Sequence, residues 1–389
     1  MIYLDNNATT ALDPQVAEAM LSVWTSGPLN ASSQHASGRA ARNRLDAALS
    51  EIAGLLGADI DSPGGDTLVM TSGGTESNNL AIRGIGDPRS PLVISSIEHP
   101  SVIESARAMA AASREVRVIP VGPDGVICLE TAARLISDTL PRPGLVSVMT
   151  ANNETGVIQP IERLAEICNA AGIPLHVDAT QTVGKLAMRF DRSGVAAMTA
   201  TAHKFHGPAG IGMLLLRSGI DLRPQFLGGE QQLGKRPGTE PVALAVGMAE
   251  ALRLATEKAD ETARWTSALR DSLETGLRRE FDDLVIHGGG AARLPATSCL
   301  SFPAVDRQTM LLALDSGGVA CSSGSACASG SSKPSHVLVA MGAHRSLIDT
   351  ALRFGFSRFS TDNDASTAIE TISRCYRRLG QKKTVEKSP

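Results

Sequence analysis

A chain of 389 residues is too long for one ordinary core and points to two domains, or to one large domain with a smaller partner. Hydrophobic residues make up 42% and charged residues 20%, and the net charge is −3; this is a common globular composition without the basic excess that neutralising a nucleic-acid backbone requires. The first residues, Met1-Ile-Tyr-Leu-Asp-Asn-Asn, lack the basic and apolar segments of a secretory signal, and no stretch approaches the roughly 18 apolar residues of a membrane span, so a cytoplasmic chain without nucleic-acid or membrane partners is expected.

Six short apolar runs predict buried strands: Thr67–Thr71, Pro91–Ser96, Val116–Val121, Leu145–Thr150, Pro174–Asp178 and Gly212–Leu216. Helix patterns at Ser77–Gly84, His99–Ala112, Glu130–Thr139 and Ile161–Ala171 lie between them. Such alternation builds a mostly parallel sheet covered on both faces, with its ligand site at the C-terminal ends of the strands. After about residue 240 the pattern changes. Two long helices, Val242–Ala259 and Glu261–Phe281, precede short strands at Leu284–His287, Ser298–Phe302 and Leu352–Phe356, which suit a second, smaller sheet. The polar, Lys-rich tail from Gln381 is expected to fray.

Polar motifs sit at the predicted strand ends. Met70-Thr-Ser-Gly-Gly74-Thr75 runs from a strand through two glycines into a helix, an arrangement that presents backbone N–H groups to an anion such as phosphate. His99, in Glu98-His99-Pro100, can stack on a flat ring or carry a proton. Asp178 closes an apolar strand, where a carboxylate needs a partner; a pyridinium N–H is one, and Gln181 three residues on can reach a ring hydroxyl. Thr201-Ala-His203-Lys204-Phe-His206 holds a Lys in a Gly/Pro-rich turn, where burial favours a nucleophilic amine. Each motif alone has a plain structural explanation: a turn, a satisfied polar group, a helix cap, a solvated charge. Together, in this order, they match what pyridoxal 5′-phosphate needs: a phosphate site, a face contact, a pyridinium partner and a lysine. His203 and His206 with no third Cys or His nearby fit no zinc pattern, so no resident metal is expected.

Of the six cysteines, Cys128, Cys168, Cys299 and Cys375 lie in or beside apolar stretches and read as buried thiols. Cys321 and Cys327 lie instead in a small, polar, glycine-rich run, Gly317–Ser332, where a thiol can be exposed and reactive. Arg353, on a predicted short strand, can clamp a carboxylate with two parallel hydrogen bonds.

These residues resemble a cysteine desulfurase of the NifS/IscS type, within the class V aminotransferase group. The resemblance spans about residues 2–378 and is carried by Tyr3-Leu-Asp-Asn-Asn-Ala-Thr-Thr, Ser72-Gly-Gly-Thr-Glu-Ser-Asn-Asn, Glu98-His99, Asn152-Asn-Glu-Thr-Gly, His176-Val-Asp-Ala-Thr-Gln, His203-Lys204 and Ser322-Ser-Gly-Ser-Ala-Cys327. It implies an α/β fold of the aspartate aminotransferase-like type (fold type I): a large domain with a mostly parallel seven-stranded sheet and a smaller α+β domain. The expected boundaries are 14–250 for the large domain, and 1–13 with 251–389 for the small one, which carries a mobile cysteine loop at about 318–334.

The resemblance also implies roles. Lys204 would carry the cofactor covalently. Gly74, Thr75, Thr201 and His203 would hold its phosphate, with Thr239 reaching in from the second subunit of a homodimer. His99 would stack on the ring, Asp178 pair with its nitrogen, and Asn153 and Gln181 contact its edge. Arg353 and Asn153 would bind the carboxylate of the substrate, L-cysteine. Cys327 would take the sulfur as a persulfide and pass it to an acceptor protein such as an iron–sulfur scaffold, with at most a transient iron–sulfur contact there; Cys321 is read as a bystander. Three other activities fit parts of the pattern: a selenocysteine lyase, a class V aminotransferase returning a keto acid, and a non-catalytic sulfur relay, against which Lys204 argues.

Overall fold

The computed structural model describes residues 1–324 and 333–385, with side chains through Gly380. Residues 325–332 of the expected cysteine loop, including Cys327, and the end of the tail lie outside the described residues. The chain begins with strand β1 (Ile2–Tyr3). A seven-stranded sheet follows, made of β2 (Thr67–Thr71), β3 (Leu92–Ser95), β4 (Val116–Ile119), β5 (Leu145–Met149), β6 (Leu175–Asp178), β7 (Ala197–Thr201) and β8 (Gly212–Leu216). Its order is β2-β8-β7-β6-β5-β3-β4, and β8 alone runs antiparallel to its two neighbours.

Period-two alternation explains how both faces of this sheet are covered. In β8, Met213 and Leu215 enter one core and Leu214 and Leu216 the other. The first core takes the helices Pro14–Trp24, Ala36–Leu56 and Val242–Glu257; the second takes Gly74–Gly84 and Pro100–Ala111. Parallel strands buried on both faces need such near-continuous apolar runs.

The second half builds its own core. Strands β9 (Val285–Ile286), β10 (Thr297–Ser301) and β12 (Ala351–Gly355) form an antiparallel sheet in the order β12-β10-β9, while β11 (Val319–Ala320) pairs in parallel with β1. Leu269, Leu273 and Leu277 of the helix Ala259–Glu280 and Ile372 and Tyr376 of the helix Asp362–Val385 close over Leu300, Leu352 and Phe354. Leu4 is buried in this same cluster, so the N-terminus packs with the second half of the chain. The helix Val242–Glu257 contributes Leu252, Leu254 and Ala255, beyond residue 250, to the first core.

The architecture agrees with the expected one; several elements do not. Strand β7 and the helices Pro14–Trp24, Ala36–Leu56 and Asp362–Val385 had no counterpart among the elements read from the pattern. The tail expected to fray from Gln381 is helical as far as Val385. Cys168 and Cys299 are buried, whereas Cys128 and Cys375, read as buried, are only partly so: Cys128 precedes the short helix Leu129–Ala133, and Cys375 packs at the margin of the second core.

Candidate active site

The C-terminal ends of β2, β5, β6 and β7 converge on a cavity of about 310 Å³. It brings together Gly74, Thr75, His99, Asn153, Asp178, Gln181, Thr201, His203, Lys204 and Arg353, ten of the residues singled out in the sequence. Thr239 does not line it and is exposed on this chain. Cys327 lies outside the described residues, but Gly324, three positions before it, is part of the cavity wall.

Each side chain is held by its element. Lys204 ends a short 3-10 turn, Ala202–Lys204, directly after β7. Its Nζ donates to the carbonyls of Asn7, at 2.7 Å, and Ala8, at 2.6 Å. The N-terminal segment is itself fastened over that turn: Thr10 N–H donates to His203 O at 2.9 Å, and His206 N–H to Thr10 Oγ1 at 2.7 Å. Asp178 is the last residue of β6. Its Oδ2 accepts from Asn78 Nδ2 at 2.7 Å and its Oδ1 from the Thr180 N–H at 3.0 Å, so the carboxylate is held in one orientation.

His99 caps the helix Pro100–Ala111, where Pro100 suits the first helical position. Its Nδ1 accepts from the Ser101 N–H at 3.1 Å, which places the proton of the neutral ring on Nε2. Burial, with smaller contributions from Lys204, His336 and Arg353, lowers its pKa and keeps the ring neutral against the opposing pull of Asp178. His203 is driven down to about 4, first by burial and then by Lys204 and Lys185. The cavity thus presents neutral imidazoles beside a lysine and a carboxylate.

At the other end, the helix Gly74–Gly84 starts at Gly73 with no side-chain cap. Its first residues, Gly74 and Thr75, line the cavity, where a Cβ on Gly74 would come within 3.2 Å of Thr180 Oγ1. Arg353, on β12, donates from Nη1 to Asn153 O at 2.9 Å and from Nη2 to Asp5 Oδ1 at 2.7 Å. Three buried polar atoms of the lining have no partner among the described residues: Asn78 Oδ1, Thr180 Oγ1 and Arg353 Nε. Unsatisfied buried groups are costly and rare. Three of the nine such atoms among the described residues belong to this one lining; together with an uncapped helix N-terminus at one end and a guanidinium at the other, they fit a ligand carrying phosphate and a polar ring, next to a small carboxylate. The residues present therefore suit pyridoxal 5′-phosphate and an amino acid. Among the described residues no group of three or more His, Cys, Asp or Glu could hold a metal ion, and no helix is long and apolar enough to cross a membrane.

Motif reading missed several residues of this wall. Asn78 and Asn7 lay inside quoted motifs without a role; Thr180 and Ser101 flank assigned residues. Helical spacing was the available signal for Asn78, which lies one turn beyond Gly74. Nothing local marks Asn7, whose carbonyl meets Lys204 across 197 positions. Cys321 is partly buried, and burial pushes its thiol up to about 12, an inert setting.

The family described as "Aminotransferase class-V" matches residues 2–367. A cysteine desulfurase of Gluconacetobacter diazotrophicus is 40% identical over 95% of this chain and 92% of its own. An IscS-like cysteine desulfurase of Mycobacterium tuberculosis is 39% identical over 96% of this chain and 95% of its own. Among solved structures, a NifS-like protein from Rickettsia africae superposes with a TM-score of 0.88, at 31% identity over 97% of this chain and 99% of that one.

Proposed function

Because the chain belongs to the class V aminotransferase family, and within it to the cysteine desulfurases of the NifS/IscS type, we propose that it converts L-cysteine to L-alanine and carries the released sulfur as a persulfide on Cys327. The single observation that supports this most is the gathering of Lys204, Asp178, His99, an open helix N-terminus and Arg353 around one cavity.

In this reading, Gly74, Thr75, Thr201 and His203 hold the phosphate of pyridoxal 5′-phosphate, Asp178 its ring nitrogen, His99 its face, and Asn153 and Gln181 its edge. When bound, the cofactor supplies an electron sink for negative charge at the substrate Cα. The chain's own residues do the rest. Arg353 and Asn153 bind the substrate carboxylate and fix which bond at Cα faces the cofactor. Lys204, its amine kept in reach by Asn7 and Ala8, takes the Cα proton. The Cys327 thiolate forms an S–S bond with the substrate sulfur. The electron pair of the broken C–S bond stays on the substrate carbon, which gains a proton and leaves as the methyl group of alanine. An acceptor thiol, such as that of an iron–sulfur scaffold protein, then discharges the persulfide.

The same reading has the chain working in the cytoplasm as a homodimer, with Thr239 of the partner subunit completing the phosphate contacts. The exposed Phe226, Leu227 and Leu233, close to Thr239 in the chain, support a surface that a second copy covers. It divides the chain into a large domain, 14–250, and a small one, 1–13 with 251–389; Leu4 in the second core supports placing the N-terminus with the small domain, while Leu252, Leu254 and Ala255 in the first core favour a boundary after Glu257.

The test adds L-cysteine and dithiothreitol to the purified, cofactor-loaded protein and measures alanine and sulfide together. Equal yields, lost in Cys327→Ala, are expected. Neither product, or full turnover without Cys327, overturns the proposal; a keto acid in place of alanine assigns an aminotransferase instead.

A further inference from the structure

Lys185 has no role in the chemistry above, yet its side chain enters the same network. It follows Gly184, which has a φ of +75°, in the turns after β6. Its ammonium donates to Gln181 Oε1 at 2.9 Å. An ammonium offers only donors, so Gln181 must turn its oxygen toward Lys185 and its NH2 group away from it. Gln181 Nε2 then donates to Asn7 O at 3.0 Å, and that carbonyl also accepts from Lys204 Nζ at 2.7 Å. Lys185 and Lys204 also both line a second small cavity, of about 40 Å³.

Charge sharpens the arrangement. Lys204, His203 and His206 face Lys185 from the turn after β7, Arg353 from β12 and Arg358 from the segment after it. The carboxylates on this side are already engaged: Asp5 pairs with Arg353 and Asp13 with Arg358. Burial, then the charges of Lys204 and Arg353, push Lys185 down to about 7. A lysine placed among cations, with an amide oxygen as its acceptor, is costly as a purely structural element.

We propose that Lys185 is a positioning residue for Lys204: it fixes Gln181 as a hydrogen-bond donor to the cofactor edge and sets a second positive charge beside Lys204 that favours the unprotonated amine. The inference rests on the pyridoxal-phosphate reading of the cavity.

The experiment titrates the absorbance of the cofactor-loaded protein with pH, without substrate, for wild type, Lys185→Met and Lys185→Arg. Removing a nearby positive charge makes the Lys204 nitrogen easier to protonate. The transition in Lys185→Met should therefore move to higher pH by about one unit or more, while Lys185→Arg, which keeps a positive charge at this position, should show no move to higher pH. A Lys185→Met titration that overlays wild type, or an equal shift in Lys185→Arg, overturns the proposal. If Lys185→Met does not accumulate, Lys185→Gln is judged by the same criterion. Wild-type protein that never takes up pyridoxal phosphate overturns the reading of the cavity itself, a result distinct from normal uptake with an unmoved titration.

Discussion

Glu98 offers a test of how this site is insulated from solvent. It precedes His99, is fully buried, and uses Oε1 to accept from Ser95 Oγ and, at 2.9 Å, from the Met149 N–H. Its Oε2 has no partner among the described residues. Burial, reinforced by the negative charge of Asp178 and opposed by the two hydrogen bonds, holds its carboxyl at about 8 instead of 4.5. Ionising it inside the fold is therefore about 4–5 kcal/mol harder than in an unfolded chain. The folded pKa lies above the unfolded one, so the fold favours the protonated acid. Wild type must then lose stability as pH rises from about 4.5 toward about 8, and lose no more above that. Glu98→Gln keeps the shape, replaces the lone O–H by an amide and removes the titration. Relative to wild type, its thermal midpoint should be level near pH 5 and higher by about 5 °C near pH 9, taking about 2 cal/mol/K of unfolding entropy per residue. Scanning calorimetry of both proteins across that range makes the comparison, and all other titrations cancel in the difference. A difference independent of pH, or a Gln variant less stable than wild type at pH 9, refutes the argument.

Asp178→Asn keeps an oxygen for Asn78 or the Thr180 N–H but removes the charge facing the ring position; alanine formation should fall at least about a hundred-fold, and a loss under ten-fold would count against the assignment. Arg353→Lys cannot reproduce the fork that reaches Asn153 O and Asp5 together; KM for L-cysteine should rise roughly ten- to a hundred-fold with kcat less affected, as initial-rate kinetics would reveal. Gly184→Ala places a Cβ 2.4 Å from Phe205 Cβ at a residue with φ of +75°, which should cost about 2–4 kcal/mol and lower the thermal midpoint. An unchanged midpoint would mean that the turn beside Lys204 yields more readily than its packing implies.

What could be read from the chain follows from how local each signal is. The strand ends at Thr71, Ser95, Met149 and Asp178 follow apolar runs, so the sequence alone puts the motifs beyond them at the C-terminal edge of the sheet. Strand β7 escaped because Ala-Met-Thr-Ala-Thr carries little hydrophobicity of its own. It is buried on position: between β6 and β8 its small residues fit, and Thr199 is satisfied by His176 Nε2 at 3.0 Å. The helix Ala36–Leu56 escaped for a related reason. Charged residues dilute a narrow stripe of Ala41, Leu45, Ala48, Ile52 and Leu56, whose three- and four-residue spacing is the helix's local signal.

The site divides along the same line. The residues proposed to hold the cofactor stand out in the sequence because each sits in a motif with its own backbone logic: a glycine turn before a helix, a capping His before Pro, an acid closing a strand. The residues that hold Lys204 have no such local logic. Asn7 acts through its carbonyl, which any residue possesses, so no side-chain pattern could mark it. Lys185 sits in an unremarkable Val-Gly-Lys-Leu run; its meaning depends on Gln181 lying one turn back and on Asn7 arriving from the other end of the chain. Both depend on the N-terminal segment crossing over the turn after β7, a contact between residues nearly two hundred positions apart. The chemistry of the cavity was thus written in short motifs, whereas the setting of its lysine is a product of tertiary structure, and the titration of Lys185 variants measures that second contribution separately from the first.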